Sequence, residues 1–221
     1  MFKNLIYDIN SIKERDPAAR NSVEVFFLYS GLHAVIYYRI AHWFFVRKLF
    51  FIARMISQSA RFLTGVEIHP GATIGRGLLI DHGAGVVIGE TAVIGDNCTI
   101  YQGVTLGGTG KHTGKRHPTI GNNVMIGSGA KVLGPFSVGD NAKIAAGAVV
   151  LAEVPENSTA VGVPARIIYP GKKKPEGVLP CKNDLDQIHI PDPVSQELCK
   201  MRMHIEQLEA KLNSMSETKG E

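Results

Sequence analysis

The sequence places a carboxylate and an imidazole side by side, Asp81 and His82, at the start of the segment DHGAGV. A neutral imidazole can take a proton from a hydroxyl group near neutral pH, and an adjacent carboxylate stabilises the imidazolium that forms. The pair makes His82 the candidate general base for a reaction at a substrate hydroxyl.

A second polar segment, GGTGKHTGKRHP at 107–118, ends with Arg116 and His117 just before a proline. The planar guanidinium of arginine suits a substrate carboxylate. The segment begins with four residues whose backbone N–H groups can meet an acyl oxygen or a phosphate. These residues are Gly107, Gly108, Thr109 and Gly110, and the nearby lysines that could meet phosphates are Lys111, Lys115 and Lys172–Lys174.

Both polar segments interrupt a repeat of six residues. Small aliphatic residues occupy the repeat at Ile68, Ile74, Ile80 and Val86, then Ile88, Ile94, Ile100 and Leu106, then Ile120, Ile126, Val132, Val138, Ile144 and Val150. Six residues are too few for a helical repeat but suffice for a short strand and a tight turn. Three such units close one triangular coil, so the sequence predicts a parallel β-helix. A β-sandwich would instead show strict alternation and strand spacings of about 8–12 residues.

The two interruptions coincide with the candidate chemistry. The step from Ile80 to Ile88 is two residues longer than the repeat, and the step from Leu106 to Ile120 is eight longer. Insertions in a solenoid form loops on one face, and such loops often bind ligands. A coil of three units has eighteen residues and Glu67 lies fifteen before His82, so Glu67 is predicted to lie in the neighbouring coil and orient His82.

Three histidines, His82, His112 and His117, permit a second interpretation. Left-handed β-helix carbonic anhydrases bind zinc through three such histidines at a subunit interface, and the metal activates water. This interpretation gives no role to Arg116, to the glycine-rich segment or to Glu67.

The flanks of the repeat predict helices. Apolar residues dominate residues 1–65, and Asp16-Pro17 is predicted to begin a helix. Near the other end, steps of four and three join Val194, Leu198, Met201, Ile205, Leu208, Leu212 and Met215. That heptad pattern predicts either a coiled coil between subunits or an amphipathic helix lying on its own subunit. The predicted units are a helical domain at 1–65, a β-helix at 66–168, and a linker with a heptad helix at 169–221.

Composition limits the classes of partner. The net charge is +4 over 221 residues, and no nucleic-acid motif accompanies it. The longest stretch without Asp, Glu, Lys or Arg lies between Glu24 and Arg39, too short for a membrane span. Three cysteines without metal spacing and the charged N-terminal segment predict a reduced, cytoplasmic protein without a signal peptide.

Several segments together resemble a known family, the serine acetyltransferases, hexapeptide-repeat enzymes that begin cysteine biosynthesis. The segments are RDPAA at 15–19, SGLHAVIYYRIAHW at 30–43, EIHPGATIGRGLLIDHGAGVVIGETAVIGD at 67–96, QGVTLGGTGKHTGKRHPTIG at 102–121 and GVPARII at 162–168. The resemblance implies a left-handed parallel β-helix after a helical N-terminal region. It implies transfer of the acetyl group of acetyl-CoA to the L-serine hydroxyl, giving O-acetyl-L-serine and coenzyme A. Acetyl transfer to a sugar or xenobiotic hydroxyl, and the zinc chemistry above, are the alternatives.

Residue by residue, the resemblance implies the following roles. His82 is the general base and Glu67 its carboxylate partner, at a position where longer relatives have aspartate. Asp16 and Asp81 hold the ammonium and hydroxyl side of serine, and Arg116 and His117 hold its carboxylate. Coenzyme A lies between adjacent subunits and contacts Gly107, Gly108, Thr109, Gly110, Ser128, Ala146, Gly162, Pro164 and Arg166. No metal, permanently bound cofactor or acyl-enzyme is implied.

The resemblance also implies partners. L-Cysteine is expected to act as a feedback inhibitor that competes at the serine site. The N-terminal region is shorter than in long-form relatives, which favours a trimer over a hexamer. Longer relatives use a C-terminal isoleucine to bind O-acetylserine sulfhydrylase, whereas this sequence has Glu221 there, so the same complex is not expected.

Overall fold

The computed structural model describes residues 2–110, 113–169 and 205. Four helices come first: α1 (Phe2–Arg15), α2 (Ser22–Leu28), α3 (Ser30–Val46) and α4 (Phe50–Thr64). Fifteen short strands of the described chain follow. The predicted architecture, a helical region followed by a left-handed parallel β-helix, is confirmed.

The strands stack into three sheets that form the sides of the β-helix. The first sheet holds β1 (Glu67–Ile68), β4 (Val87–Ile88), β7 (Thr105–Gly107), β10 (Lys131–Leu133) and β13 (Val149–Val150). The second holds β2 (Thr73–Ile74), β5 (Val93–Ile94), β8 (Thr119–Ile120) and β11 (Ser137–Val138). The third holds β3 (Leu79–Asp81), β6 (Thr99–Tyr101), β9 (Met125–Ile126), β12 (Lys143–Ile144), β14 (Thr159–Val161) and β15 (Arg166–Ile168). Only the β14–β15 pairing is antiparallel among these strands.

The repeating aliphatic residues fill the interior of the β-helix, as predicted. Each of them is at most 4 % exposed except Ile74, which is partly buried against the same core. Cys98 also lies in this core, where burial raises the pKa of its thiol to about 11. One aliphatic side chain per unit therefore supplies the apolar burial that holds successive coils together.

The strand register shows how many residues each insertion adds to its coil. Glu67 pairs with Val87, a coil of twenty residues, and Val93 pairs with Thr119, a coil of twenty-six. Lys131 pairs with Val149, which is the regular eighteen. The extra residues therefore leave the coil at its corners without disturbing the strand pairing on either side.

Charged groups on α1, one partly and one fully buried, dock the helices on the first coils. The guanidinium of Arg15 donates to the carbonyls of Gly77, Asn97 and Cys98 and to the hydroxyls of Ser11 and Thr99. Asp8, which is fully buried, accepts from the Gly77 N–H at 2.7 Å and pairs with Arg39 of α3. These contacts fix the end of α1 against the third sheet.

The helices α3 and α4 dock on the first coil through neutral hydrogen bonds. Tyr38 donates its hydroxyl to the Ala72 carbonyl at 2.6 Å, and Ser57 donates to the Ile68 carbonyl at 2.7 Å. None of the helices in the described ranges has the length and apolar content needed to cross a membrane.

The prediction that Asp16-Pro17 begins a helix is wrong. The chain turns at 16–19, where the Ala18 N–H donates to Asp16 Oδ1 at 2.8 Å, and α2 begins later, with Asn21 as its N-cap. Asp and Asn favour turns and helix N-caps for the same reason, a short acceptor side chain, so the sequence did not separate the two.

The predicted linker and heptad helix at 169–221 lie outside the described residues except for two positions. Tyr169 follows β15, and Ile205 is helical and 53 % exposed. Lys111, His112, Lys172–Lys174, Cys181, Cys199 and Glu221 also lie outside the described residues.

We expect Arg15→Met to lower the free energy of unfolding by about 3 kcal/mol, because several carbonyl and hydroxyl acceptors lose a charged donor. Urea unfolding followed by circular dichroism measures this loss. Arg20→Met, at an exposed position between the following turn and α2, is the control and should change stability by less than about 0.5 kcal/mol. Equal stability of the two variants would contradict the docking role of Arg15.

Candidate active site

The Asp81–His82 corner is a tight turn that projects His82 away from the β-helix. His82 has a φ of 58°, a left-handed conformation that is uncommon outside glycine. The turn is closed by the Gly83 N–H on the Asp81 carbonyl at 2.7 Å and by the Ala84 N–H on the His82 carbonyl at 2.8 Å. The imidazole side chain is 75 % exposed, and its Nε2 lies 3.9 Å from Asp81 Oδ1. The corner therefore offers an accessible base next to a carboxylate.

Glu67 begins the coil whose last corner holds His82. The two segments run side by side, since the Gly85 N–H donates to the Gly65 carbonyl and the Glu67 N–H to the Val86 carbonyl. The Glu67 carboxylate forms an ion pair with Arg61 of α4 at 3.1 Å. A direct role of Glu67 in orienting His82 stays a prediction.

Asp16 and Asp81 both lie near a residue that the sequence analysis missed, Tyr29. The Tyr29 hydroxyl donates to Asp16 Oδ2 at 2.6 Å. Burial raises the pKa of Tyr29, and the hydrogen bond to Asp16 and the nearby charges of Asp16, Glu24 and Asp81 raise it further. The two carboxylates predicted to hold a cation thus share one neighbourhood at the junction of α1, α2 and β3.

Arg116 and His117 are held by Glu90 and Thr91, which follow β4. The Thr91 hydroxyl accepts from the backbone N–H groups of Arg116 and His117, both at 3.1 Å. The guanidinium of Arg116 pairs with the Glu90 carboxylate, and this hydrogen bond lowers the pKa of Glu90. The long insertion is therefore anchored at its end rather than free.

The orientation of the His117 ring follows from its contacts. The Thr91 N–H donates to His117 Nδ1 at 3.1 Å, so a neutral ring carries its proton on Nε2. The ring lies against Gly89, where an added Cβ would stand 2.0 Å from His117 Cδ2. Burial lowers the pKa of His117, and the positive charge of Arg116 lowers it further. His117 is thus a neutral donor through Nε2.

Two further side chains near this group differ from the sequence prediction: Lys115 has another partner than predicted, and His69 was not predicted. Lys115, predicted as a phosphate ligand, donates its ammonium to the Thr91 carbonyl at 2.7 Å, and burial lowers its pKa. His69 was not singled out, and it accepts from the Gly71 N–H through Nδ1 at 3.0 Å. Burial lowers the pKa of His69 as well, and the positive charge of Arg54 lowers it further.

A column of small residues, interrupted only by Gln102, continues from the His82 corner along the β-helix. This corner column consists of Ala84–Gly85, Gln102–Gly103, Ser128–Gly129 and Ala146–Gly147. Each pair hydrogen-bonds to the next, the Gly103, Gly129 and Gly147 N–H groups donating to the carbonyls of Ala84, Gln102 and Ser128. The four glycines of the column have φ values between 69° and 74°, a left-handed conformation that favours glycine, so these positions carry no side chain.

The other residues predicted to bind coenzyme A border the first sheet. Gly107 ends β7, and Thr109 and Gly110 are exposed beyond it. Gly162 and Pro164 lie in the hairpin between β14 and β15, where Arg166 begins β15. The Ala165 N–H donates to the Val149 carbonyl at 2.8 Å, which ties this hairpin to β13.

The predicted site residues therefore form two groups, one at the N-terminal ends and one at the C-terminal ends of the strands of the first sheet. His82 and Asp81 precede β4, with Asp16 beside them, whereas Glu90 and Thr91 follow β4 and hold Arg116 and His117. Thr91 and His117 are twenty-six residues apart, the length of the coil that carries the insertion. That register is the signal that could have identified Thr91 from the sequence.

Comparison with known proteins places these features in context. The model of the bacterial transferase hexapeptide (six repeats) matches residues 117–152, and that of the hexapeptide repeat of succinyl-transferase matches 85–108. The chain is 54 % identical to a serine acetyltransferase of Bacillus pumilus over 97 % of this chain and 96 % of the relative. It is 62 % identical to one of Helicobacter pylori over 75 % of this chain and 96 % of the relative.

Solved structures agree with the sequence comparison. The serine acetyltransferase of Neisseria gonorrhoeae in complex with serine has a TM-score of 0.73 and 44 % identity, covering 76 % of this chain and 68 % of that one. A serine acetyltransferase in complex with cysteine has a TM-score of 0.74 and 45 % identity, covering 75 % and 65 %.

The lowered pKa values of His69 and His117 predict acid sensitivity. The unfolded chain binds protons at these rings near pH 6.5 whereas the folded chain does not, so stability should fall as the pH drops below about 6.5. Urea unfolding between pH 7.5 and 5 tests this. His117→Asn, whose amide oxygen can replace Nδ1 as acceptor, should flatten the decline.

Thr113→Ala is the matched control for the pH series, since it alters the same insertion without removing a titratable group. It should show the original dependence on pH. An unchanged slope in His117→Asn would contradict the assignment of a neutral buried ring.

Proposed function

The chain belongs to the serine acetyltransferase family, and on that premise we propose how its residues carry out the reaction. It transfers the acetyl group of acetyl-CoA to the hydroxyl of L-serine, giving O-acetyl-L-serine and coenzyme A in the first step of cysteine biosynthesis. The observation that carries this conclusion is identity above 50 % to serine acetyltransferases over nearly the full length of both chains. Family membership decides between the interpretations that the residues alone left open, in favour of acyl transfer to serine over zinc chemistry or other hydroxyl acceptors.

His82 is proposed as the general base. Its exposed imidazole takes the proton of the serine hydroxyl as that oxygen attacks the thioester carbonyl of acetyl-CoA. When the tetrahedral intermediate collapses, the carbon–sulfur bond breaks and the leaving thiolate receives the proton from His82. The carboxylates of Asp81 and Glu67 stabilise the imidazolium between these two transfers. Acetyl-CoA acts as a co-substrate, and the scheme needs neither a resident cofactor nor an acyl-enzyme.

The two groups of site residues match the two charges of serine. Asp16 and Asp81 would hold the ammonium and hydroxyl side, and Arg116 and His117 would hold the carboxylate. Arg116 offers a planar donor pair and His117 a neutral Nε2–H, both of which suit a carboxylate. L-Cysteine carries the same ammonium and carboxylate groups, so competition at this site would account for feedback inhibition. The relative solved with cysteine supports this expectation.

The position of the two groups favours a site between subunits. They lie at opposite ends of the strands of the first sheet, and one small amino acid must touch both. A second copy of the chain, in a trimer as predicted or in a larger assembly, would bring the residues at one end against those at the other end in its neighbour. Coenzyme A would then run along the corner column beside Ser128 and Ala146 toward the Gly162–Arg166 hairpin, where low side chains permit close approach of a pantetheine arm.

The predicted cytoplasmic location and the predicted lack of a complex with O-acetylserine sulfhydrylase through Glu221 stay predictions. Glu221 lies outside the described residues.

The assay that tests the function measures acetyl-CoA consumption by EDTA-treated protein with L-serine as the sole acceptor. We expect turnover that L-cysteine suppresses. His82→Asn, which tolerates the left-handed backbone, should lose a factor of about 10²–10⁴ in kcat with an unchanged sedimentation profile. Turnover with a sugar hydroxyl but none with serine would overturn the proposed acceptor, and near-normal turnover in His82→Asn would overturn the proposed base.

Arg116→Lys tests the carboxylate group. The lysine keeps the charge but loses the planar pair of donors, so we expect the KM for serine to rise about tenfold while the KM for acetyl-CoA stays within about twofold. Thr113→Ala, which retains the backbone carbonyl that Arg116 contacts, is the control in the same insertion. A selective increase in the acetyl-CoA KM would instead place Arg116 at the coenzyme.

A further inference from the structure

Tyr29 occupies a rigid position between two helices. It ends α2, where its N–H donates to the Val25 carbonyl, and it precedes α3, where its carbonyl accepts from the His33 N–H at 3.1 Å. Its ring packs against a small apolar cluster of the helices and the β-helix, formed by Ile12, Val25, Leu32 and Leu79. Because backbone and ring are both fixed, the hydroxyl group is held in one place.

That hydroxyl is aimed at Asp16. The distance of 2.6 Å to Asp16 Oδ2 is short, as expected for a hydroxyl that donates to a carboxylate. The other oxygen, Oδ1, accepts from the Ala18 N–H at 2.8 Å, so both oxygens of Asp16 are fixed from the protein side. Each carboxylate oxygen retains a further lone pair for a ligand.

Asp81 completes the arrangement from the β-helix. It lies two residues after Leu79, whose side chain belongs to the same apolar cluster as the ring of Tyr29. The raised pKa of Tyr29 keeps its hydroxyl protonated, so beside these carboxylates it serves only as a donor. The subsite therefore has two anionic acceptors and one neutral group that orients the first of them.

We propose that Tyr29 is a positioning residue for amino-acid recognition, holding the Asp16 carboxylate so that it and Asp81 together receive the substrate ammonium group. The proposal rests on the proposed function, in which Asp16 binds the ammonium side of serine. Tyr29 touches neither the reacting hydroxyl nor the thioester in this scheme. Its contribution should therefore be to binding of amino acids and not to the chemical step.

Tyr29→Phe removes the hydroxyl and keeps the ring in its cluster. We expect the KM for L-serine to rise about tenfold, the loss of one hydrogen bond to a charged group, with kcat and the acetyl-CoA KM changed by less than about twofold. The inhibition constant for L-cysteine should rise by a similar factor, because cysteine carries the same ammonium group. Tyr7→Phe is the matched control, since its hydroxyl contacts Asn97 away from Asp16, and it should leave all four quantities unchanged.

A double-mutant cycle with Asp16→Asn separates positioning from a general structural effect. If Tyr29 acts through Asp16, Tyr29→Phe should change kcat/KM for serine by less than about twofold in the Asp16→Asn background. An equal loss in both backgrounds, or no change in the serine KM of Tyr29→Phe alone, would overturn the proposal. A fall in kcat at unchanged serine KM would overturn it as well, by placing Tyr29 in the chemical step.

Two further measurements keep the outcome unambiguous. The unmodified protein must turn over L-serine, and failure there contradicts the proposed function, whereas normal turnover with an unaffected Tyr29→Phe contradicts only the role of Tyr29. Calorimetric titration of the folded Tyr29→Phe variant with L-cysteine measures amino-acid affinity independently of turnover. Affinity equal to that of the unmodified protein would also overturn the proposal.

Discussion

Parallel strand pairing forces every coil of this β-helix to return to the register of the coil before it, and the candidate site depends on that constraint. A coil with extra residues can keep its strands paired only by extruding the surplus at a corner. Two extra residues form the corner with His82, and eight form the insertion that ends in Arg116 and His117. The backbone ladder on either side of each insertion then holds reactive side chains on a rigid frame, as a site that must be preorganised requires.

The parts of the fold that follow from local patterns were predictable from the sequence. The six-residue period fixed the β-helix, its buried positions and both insertions, because each unit repeats the same burial and the same turn. The residues that hold the site were not predictable in this way. Tyr29 and Asp16 meet across a turn that the sequence suggested was a helix start, and Glu90 meets Arg116 only through the enlarged coil. Such contacts depend on how distant segments are aligned in the fold, which the local sequence pattern does not determine.

The helical region, although mostly apolar in composition, positions Asp16 through its polar contacts with the β-helix. Arg15 and Asp8 bury polar groups against the first coils, which costs solvation free energy that backbone partners on the β-helix must offset. The residue after Arg15 is Asp16, so the contacts that dock α1 also deliver the first carboxylate of the candidate ammonium site. In the proposed site, the docking of α1 through Arg15 is therefore linked directly to the placement of Asp16, the next residue of the chain.

The two halves of the proposed serine site, Asp16 with Asp81 and Arg116 with His117, differ in their net charge before a substrate binds. The acidic half has two carboxylates and a neutral donor that contacts Asp16, so a bound ammonium would supply the positive charge that this half lacks. The basic half is already neutralised, since Arg116 pairs with Glu90, and there a substrate carboxylate would replace or share an existing carboxylate partner. Exchanging one anion for another limits the desolvation cost at that end, because the guanidinium is never left without a counter-charge. Selection for an amino acid would then rest mainly on the ammonium half, where binding creates a new ion pair, while the other half fixes its orientation.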